Sequence, residues 1–265
     1  MMYSLWVAAG FAVFIWWFST GLVLLLDTLP HATFRWSLML SSLLALAALW
    51  ALMHTAQHTS LVGVYGAFTS ALLLWGWHEL SFLTGWITGP RRTALPAGAQ
   101  GWPRLVASVQ AILWHELAIL AMGALVVALT WDGPNQVGTA TFVLLWVMRV
   151  SAKFNLFLGV RNLSEEFLPT HLNYMGSYFR RRRMNALLPF SVLGGSAVVA
   201  MLVDAALAPA TPPAMAVGCA LVATLAALAV VEHLLLVLPL PATALWRWAM
   251  RSPAPQVAPP LLPTR

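Results

Sequence analysis

Charge is what this sequence has least of. Only 8% of its 265 residues are Asp, Glu, Lys or Arg, where a water-soluble domain carries about 25%. That shortage excludes an ordinary soluble enzyme, and 60% of the residues are hydrophobic, with a mean hydropathy of +0.80. Cysteine is nearly missing as well. Cys219 stands alone, which excludes an intramolecular disulfide, a cysteine zinc site and a cysteine-held cluster. The first apolar run, Tyr3 to Leu26, has neither a basic stretch before it nor a small-residue cleavage site after it. It reads as a retained span and not as a signal peptide.

What is present is a series of apolar runs separated by polar breaks. They predict an all-α, polytopic membrane bundle of about seven transmembrane helices. The expected spans are 3–26, 36–54, 60–86, 104–131, 138–160, 187–207 and 214–240. They form one transmembrane domain over 1–250, followed by a disordered cytoplasmic tail at 251–265 rich in proline. Two connections are long, 87–103 and 161–186, and the others are short.

The basic residues orient these spans. Arg35, Arg91, Arg92, Arg104, Arg161, Arg180, Arg181, Arg182, Arg183, Arg247, Arg251 and Arg265 all fall in odd-numbered connections or in the tail. The even-numbered connections and the N-terminus have no Lys or Arg. By the positive-inside rule the N-terminus is periplasmic and the C-terminus cytoplasmic. The sequence pI of about 10.4 is thus a topology signal, and no nucleic-acid partner is expected. The Arg180–Arg183 cluster reads first as an orientation anchor, although such a cluster also attracts anionic membrane lipid.

Against this background "WHEL" occurs twice inside apolar runs, at 77–80 and 114–117. His78-Glu79, His115-Glu116 and Glu232-His233 all lie within expected spans. At a rise of about 1.5 Å per residue, Glu79 and Glu232 sit roughly 12 Å from the cytoplasmic ends of their spans and His115 roughly 17 Å. Arg149 and Lys153 fall in the same layer, four residues apart and so on one helix face, with Asn155 slightly closer to the cytoplasm. Ionisable groups in a span cost a few kcal/mol unless they face a partner or water. One intramembrane polar pocket, open to the cytoplasm and formed by these nine residues, is the economical arrangement.

Two uses of such a pocket stay open. The ionisable groups pair with one another and hold the bundle, or they carry chemistry. A zinc-protease helix needs HExxH, and the runs here are "HELSF" and "HELAI". The Glu-x-x-His signature of di-iron bundles is absent from the spans too. No metal site is assigned; a mixed one would draw on Glu79, His115, Glu116 and His233. His54 and His58 share a helix face at the opposite membrane surface, where an exposed interfacial pair is the plainer account. His31 carries no specific signal.

The connection 161–186 is too patterned for a plain linker. Arg161, Glu165, Glu166, His171 and Arg180 to Arg183 share it with Phe167, Leu168, Leu172, Tyr174, Tyr178 and Phe179. The apolar set is placed to lie on the membrane surface, and Glu165, Glu166 and His171 to cap the mouth of the polar pocket. A loop this long and mixed is often functional.

"FNLFLGVRNLSEEFLPTHLNYMGSYFRRRRMN" (154–185), "WHELSFLTGWITGPRR" (77–92) and "WWFSTGLVLLLD" (16–27) resemble the PuhE-type photosynthetic complex assembly proteins of purple phototrophic bacteria. The resemblance runs to about residue 250. It implies a multi-pass protein of the bacterial inner membrane, cytoplasmic or intracytoplasmic, that helps assemble the photosynthetic reaction centre and core antenna. The implied partners are reaction-centre or light-harvesting subunits. Bacteriochlorophyll or a precursor is the implied transient ligand, with His78, His115 and His233 as candidate axial ligands. The family brings no catalytic residues with it, and a non-catalytic role is the expectation. The alternative is a membrane-embedded enzyme, metal-dependent or not, that acts on a tetrapyrrole or lipid.

Overall fold

The computed structural model describes residues 2–240 and 242–250. The tail expected at 251–265 lies outside the described residues. Seven long helices follow one another: α1 Met2–Asp27, α2 Phe34–Ala56, α3 Leu61–Leu83, α4 Gly101–Thr130, α5 Val137–Leu158, α6 Leu187–Leu207 and α7 Pro213–Leu235. Among the described residues the only β pairing is an isolated bridge between Val160 and Arg181.

Six of the seven helices are long and apolar enough to cross a membrane; α3 is the exception. Its sequence holds Tyr65, Thr69, Ser70, His78, Glu79 and Ser81, which lower its hydropathy. Its position gives the reason. α3 touches α1, α2, α4, α5 and α7, and 12 of its 23 residues are buried. A helix facing protein on most sides need not be apolar as one facing lipid must be. α7 is the second inner helix, packed on α1, α3, α5 and α6. The core between them gathers Phe68, Leu74, Ile119, Phe142, Leu221 and Leu225.

Small residues bring the helices together. A Cβ on Gly138 of α5 would lie 2.3 Å from Leu52 Cδ1 on α2 and 3.1 Å from the Ala67 carbonyl oxygen on α3. A methyl there would displace the end of the Leu52 side chain and crowd the Ala67 carbonyl; a small residue is the usual device for close helix approach in membranes. At the other end of α5, buried Asn185 joins two helix termini. Its Nδ2 donates to the carbonyls of Asn155 and Gly159, at 3.2 and 3.0 Å, and its Oδ1 accepts from the amides of Leu187 and Leu188. One side chain thus satisfies groups that helix ends leave unpaired.

The two long connections meet at one end of the bundle, hereafter the loop end. α3 stops at Leu83, short of the expected boundary at 86. The chain then turns back, with the amides of Trp86 and Ile87 both donating to the Ser81 carbonyl at 3.0 Å. It runs against α4, where the Thr88 carbonyl accepts from the His115 amide at 2.9 Å. A Cβ on Gly89 would lie 2.0 Å from the Gln110 carbonyl oxygen, so this approach requires glycine. Irregular backbone at this depth is tolerated because protein covers it.

The 161–186 connection is docked onto the protein. A 3-10 helix at Thr170–Tyr178 buries Leu172, Met175 and Tyr178 against Phe82, Ala107 and Ala111. The expectation that Leu172 and Tyr178 rest on the membrane surface is corrected: the ends of α3 and α4 offer an apolar surface that removes them from solvent more completely. Tyr178 also accepts from Arg91 Nε and donates to the Thr93 carbonyl, both at 2.7 Å.

Candidate functional site

α3, α4 and α5 bring four of the expected charges into two ion pairs. Arg149 Nη2 donates to Glu79 Oε2 at 2.8 Å. One turn further along α5, Lys153 Nζ donates to Glu116 Oε1. The four-residue spacing puts both cations on one face of α5, and that face looks onto α3 and α4. Glu232 on α7 completes the layer. Its Oε1 accepts from the Trp16 indole Nε1 of α1 at 3.1 Å, and it lies within the electrostatic field of Arg149. Among the described residues Glu232 has no ion-pair partner of its own.

These groups are unequally enclosed. Arg149 stands deep among protein atoms, yet 44% of its side-chain surface is open, against 14% for Glu79 and 22% each for Lys153 and Glu116. An opening at a cation is physically sensible, because water or a polar ligand reduces the cost of the charge.

The histidines lie apart from the ion pairs. His78 is 1% exposed and packs on Trp77 and Phe142, with ring centroids 4.8 and 6.3 Å away. His115 is 1% exposed and packs on Phe82 at 4.5 Å. Among the described residues, His78 Nε2 and His115 Nδ1 have no hydrogen-bond partner. His233 sits elsewhere, on the α5–α6–α7 side. The Ala229 carbonyl can only accept, so His233 Nδ1 carries the proton in their 2.8 Å bond, and Nε2 lies 3.0 Å from the Ser151 hydroxyl. Ser151 meets Ser191 at 2.8 Å, and Asn155 Nδ2 donates to Ser191 Oγ at 3.0 Å. The nine expected pocket residues therefore divide into an ionic layer, two enclosed imidazoles and a neutral hydrogen-bond chain.

The arrangement bears on the cofactor questions. Among the described residues no three His, Cys, Asp or Glu side chains converge as a metal site requires, so Glu79, His115, Glu116 and His233 do not form one. Bacteriochlorophyll does not fit the span histidines either. His78, His115 and His233 are at most 2% exposed and no macrocycle reaches them in this packing.

The loop residues take separate places. Arg181 meets Glu165 at 3.7 Å, while Arg161, Glu166, Arg180, Arg182 and Arg183 are not buried. The backbone of Arg180 and Arg182 pairs with Leu156 and Val160 at the end of α5. His171 does not cap the ionic layer; its Nε2 donates to the Leu83 carbonyl at 2.7 Å, and burial holds its pKa below the ordinary imidazole value, with His31 acting in the same direction. His54 and His58 are exposed at the opposite end, rings 4.7 Å apart, with Trp50 stacked on His54. Sequence reasoning did not find Trp16, Ser151 or Ser191. These are ordinary span residues, and only helix rotation aims them at Glu232, His233 and Asn155.

Comparison with known proteins finds matches that run along nearly the whole chain. The family model described as "Protein of unknown function (DUF3623)" matches residues 2–257. A relative in Rhodobacter capsulatus, described as "Uncharacterized 30.4 kDa protein in puhA 5'region", is 38% identical over 263 residues, 97% of this chain and 96% of its own. No solved structure matches. Matched over nearly all of its length, this chain belongs to the DUF3623 family.

Proposed function

We propose that this protein is the PuhE-type assembly factor of its host: a seven-span inner-membrane protein, N-terminus periplasmic, that helps nascent reaction-centre and core-antenna subunits assemble. α3 is counted as the seventh span because five of the six more apolar helices pack against it. The relative's place in the puhA 5' region supports a photosynthesis-related role. The observation that carries the assembly reading is the use of the charges. Arg149 and Lys153 occupy the carboxylates of Glu79 and Glu116, so these four groups act as polar struts, and we infer that they hold a crevice in shape on the open side of Arg149. Such a crevice offers paired charges and an indole-bound Glu232 to the polar residues of another membrane helix.

The test is to supply Glu79→Gln, Glu116→Gln and His54→Ala separately to a phototrophic host lacking its own copy, and to measure reaction-centre and antenna absorption. At matched protein abundance, both glutamine variants are expected to accumulate less complex than His54→Ala. Equal complex in all three would remove the crevice from the account.

A further inference from the structure

A cavity lies at the loop end, outside the ionic layer, with a volume of about 410 Å³. Its lining includes His31, Phe34, Thr88, Arg92, His171 and Tyr174, contributed by the α1–α2 turn, the start of α2, the irregular run after α3 and the docked 161–186 connection. Its chemistry is one-sided. A guanidinium, two imidazoles and the three hydroxyls of Thr84, Thr88 and Tyr174 border it, and none of its lining residues is acidic. The His31 and His171 rings meet edge to face at 5.4 Å.

Several of these groups are buried without a partner. Thr88 is 1% exposed, and among the described residues its Oγ1 has no hydrogen-bond partner; neither have His171 Nδ1 and the Tyr174 hydroxyl. The Thr88 and Tyr174 side chains approach one another as a weak hydrogen-bonded pair, short of full hydrogen-bond geometry, with Arg92 close enough to act on the phenol. Leaving a buried polar group unpaired costs about 1–3 kcal/mol. The Thr88 and Tyr174 hydroxyls, which can both donate, border this cavity beside an exposed arginine and mark a place where a ligand supplies acceptors.

We propose that this cavity binds a phosphate-class oxyanion carried on a small organic body. Donors come from three chain segments and border the space from different sides, which suits a tetrahedral group with several acceptor oxygens better than a planar carboxylate with two. Arg92 gives the charge-assisted contact. The volume exceeds what a bare phosphate fills and falls in the range of small-ligand sites, about 300–1,000 Å³. Phe34 offers an apolar wall to whatever the phosphate carries. The source is a phospholipid headgroup or a free phosphate compound.

The experiment is calorimetric titration of the full chain in dodecyl maltoside at low salt, with dihexanoylphosphatidic acid, inorganic phosphate and dihexanoylglycerol as probes. Saturable binding of the phosphatidic acid, weakened at least tenfold by Arg92→Ala and by Thr88→Val, is expected and assigns the lipid source. The same pattern with inorganic phosphate also upholds the site and assigns the free source. Arg92 is exposed, so Arg92→Ala is expected to keep the wild-type melting temperature, and it tests the site even if Thr88→Val folds poorly. No saturable binding, unchanged affinity in Arg92→Ala, or dihexanoylglycerol binding as tightly as the phosphatidic acid overturns the proposal.

Discussion

Arg149 on α5 and Glu79 on α3 meet at 2.8 Å, and the two ends of that pair differ in surroundings: 44% of the arginine side chain is open against 14% of the glutamate. The more enclosed member depends on the more open one. Removing Arg149 leaves a carboxylate in a confined site, whereas removing Glu79 leaves a cation whose side chain is less enclosed.

Arg149→Gln is therefore expected to destabilise the protein more than Glu79→Gln does. A fully buried pair broken at one partner costs about 3–5 kcal/mol; the open side of Arg149 reduces this to about 2 kcal/mol. Denaturant titration in detergent measures both, and the double variant completes the cycle. Coupling of at least about 1 kcal/mol is expected; additive singles would show the pair to be incidental.

Asn185 joins the end of α5 to the start of α6 through both atoms of its amide. Asn185→Ala loses the cap and is expected to cost about 2 kcal/mol. Asn185→Asp keeps acceptors for the Leu187 and Leu188 amides but loses the donor to the Asn155 and Gly159 carbonyls. Its melting temperature is expected to fall between wild type and alanine. An aspartate variant as stable as wild type would mean that the α5 carbonyls need no partner.

Two glycines make a paired test of backbone approach. Gly89→Ala would place a methyl 2.0 Å from the Gln110 carbonyl oxygen, a backbone atom that α4 holds in place. The expected result is loss of protection in the 84–92 run by hydrogen exchange. A Cβ at Gly76, within α3, would meet nothing within 4 Å, and alanine there is expected to stabilise by up to about 1 kcal/mol. Similar effects from both substitutions would argue against the close docking of the loop.

His171 makes the loop end sensitive to acid. Its Nε2 proton is already used on the Leu83 carbonyl, so a second proton must go to the buried, unpartnered Nδ1. Burial lowers the folded pKa, opposed in part by the Leu83 bond, and the His31 ring lowers it further; Arg92 borders the same cavity. The unfolded chain therefore binds this proton first. The docked state's full advantage is present above the ordinary value of about 6.5 and declines as pH falls from there through the folded pKa. Exchange of 165–178, corrected for intrinsic rates, is expected to rise between pH 8 and pH 5, and His171→Gln to flatten that rise.

Much of the helical frame is legible in the sequence because the hydropathy of a lipid-facing helix is written locally. The span expected at 138–160 is α5, Val137–Leu158; the one expected at 214–240 is α7, which ends at Leu235. The pairing of Arg149 and Lys153 with Glu79 and Glu116 follows in outline from depth and the four-residue spacing. What depth does not encode is rotation about each helix axis. Rotation sends His78 and His115 into aromatic packing, His233 to Ser151, and Trp16 to Glu232. The docking of 161–186 is hidden for another reason: Leu172 and Tyr178 suit a lipid surface and a protein surface equally, and tertiary contact decides. His31, which carries no signal by itself, gains one only from its neighbour His171.

The central claim is that this chain contacts photosynthetic subunits as they assemble. It is tested most directly by purifying the protein gently from native membranes after cross-linking, and reading its bound subunits by mass spectrometry and its metal by elemental analysis. The account predicts a reaction-centre or core-antenna subunit cross-linked near the crevice, reduced in Glu79→Gln at equal protein abundance. Stoichiometric iron, zinc or manganese that is lost on changing Glu79 or His115, with no photosynthetic subunit attached, would contradict it.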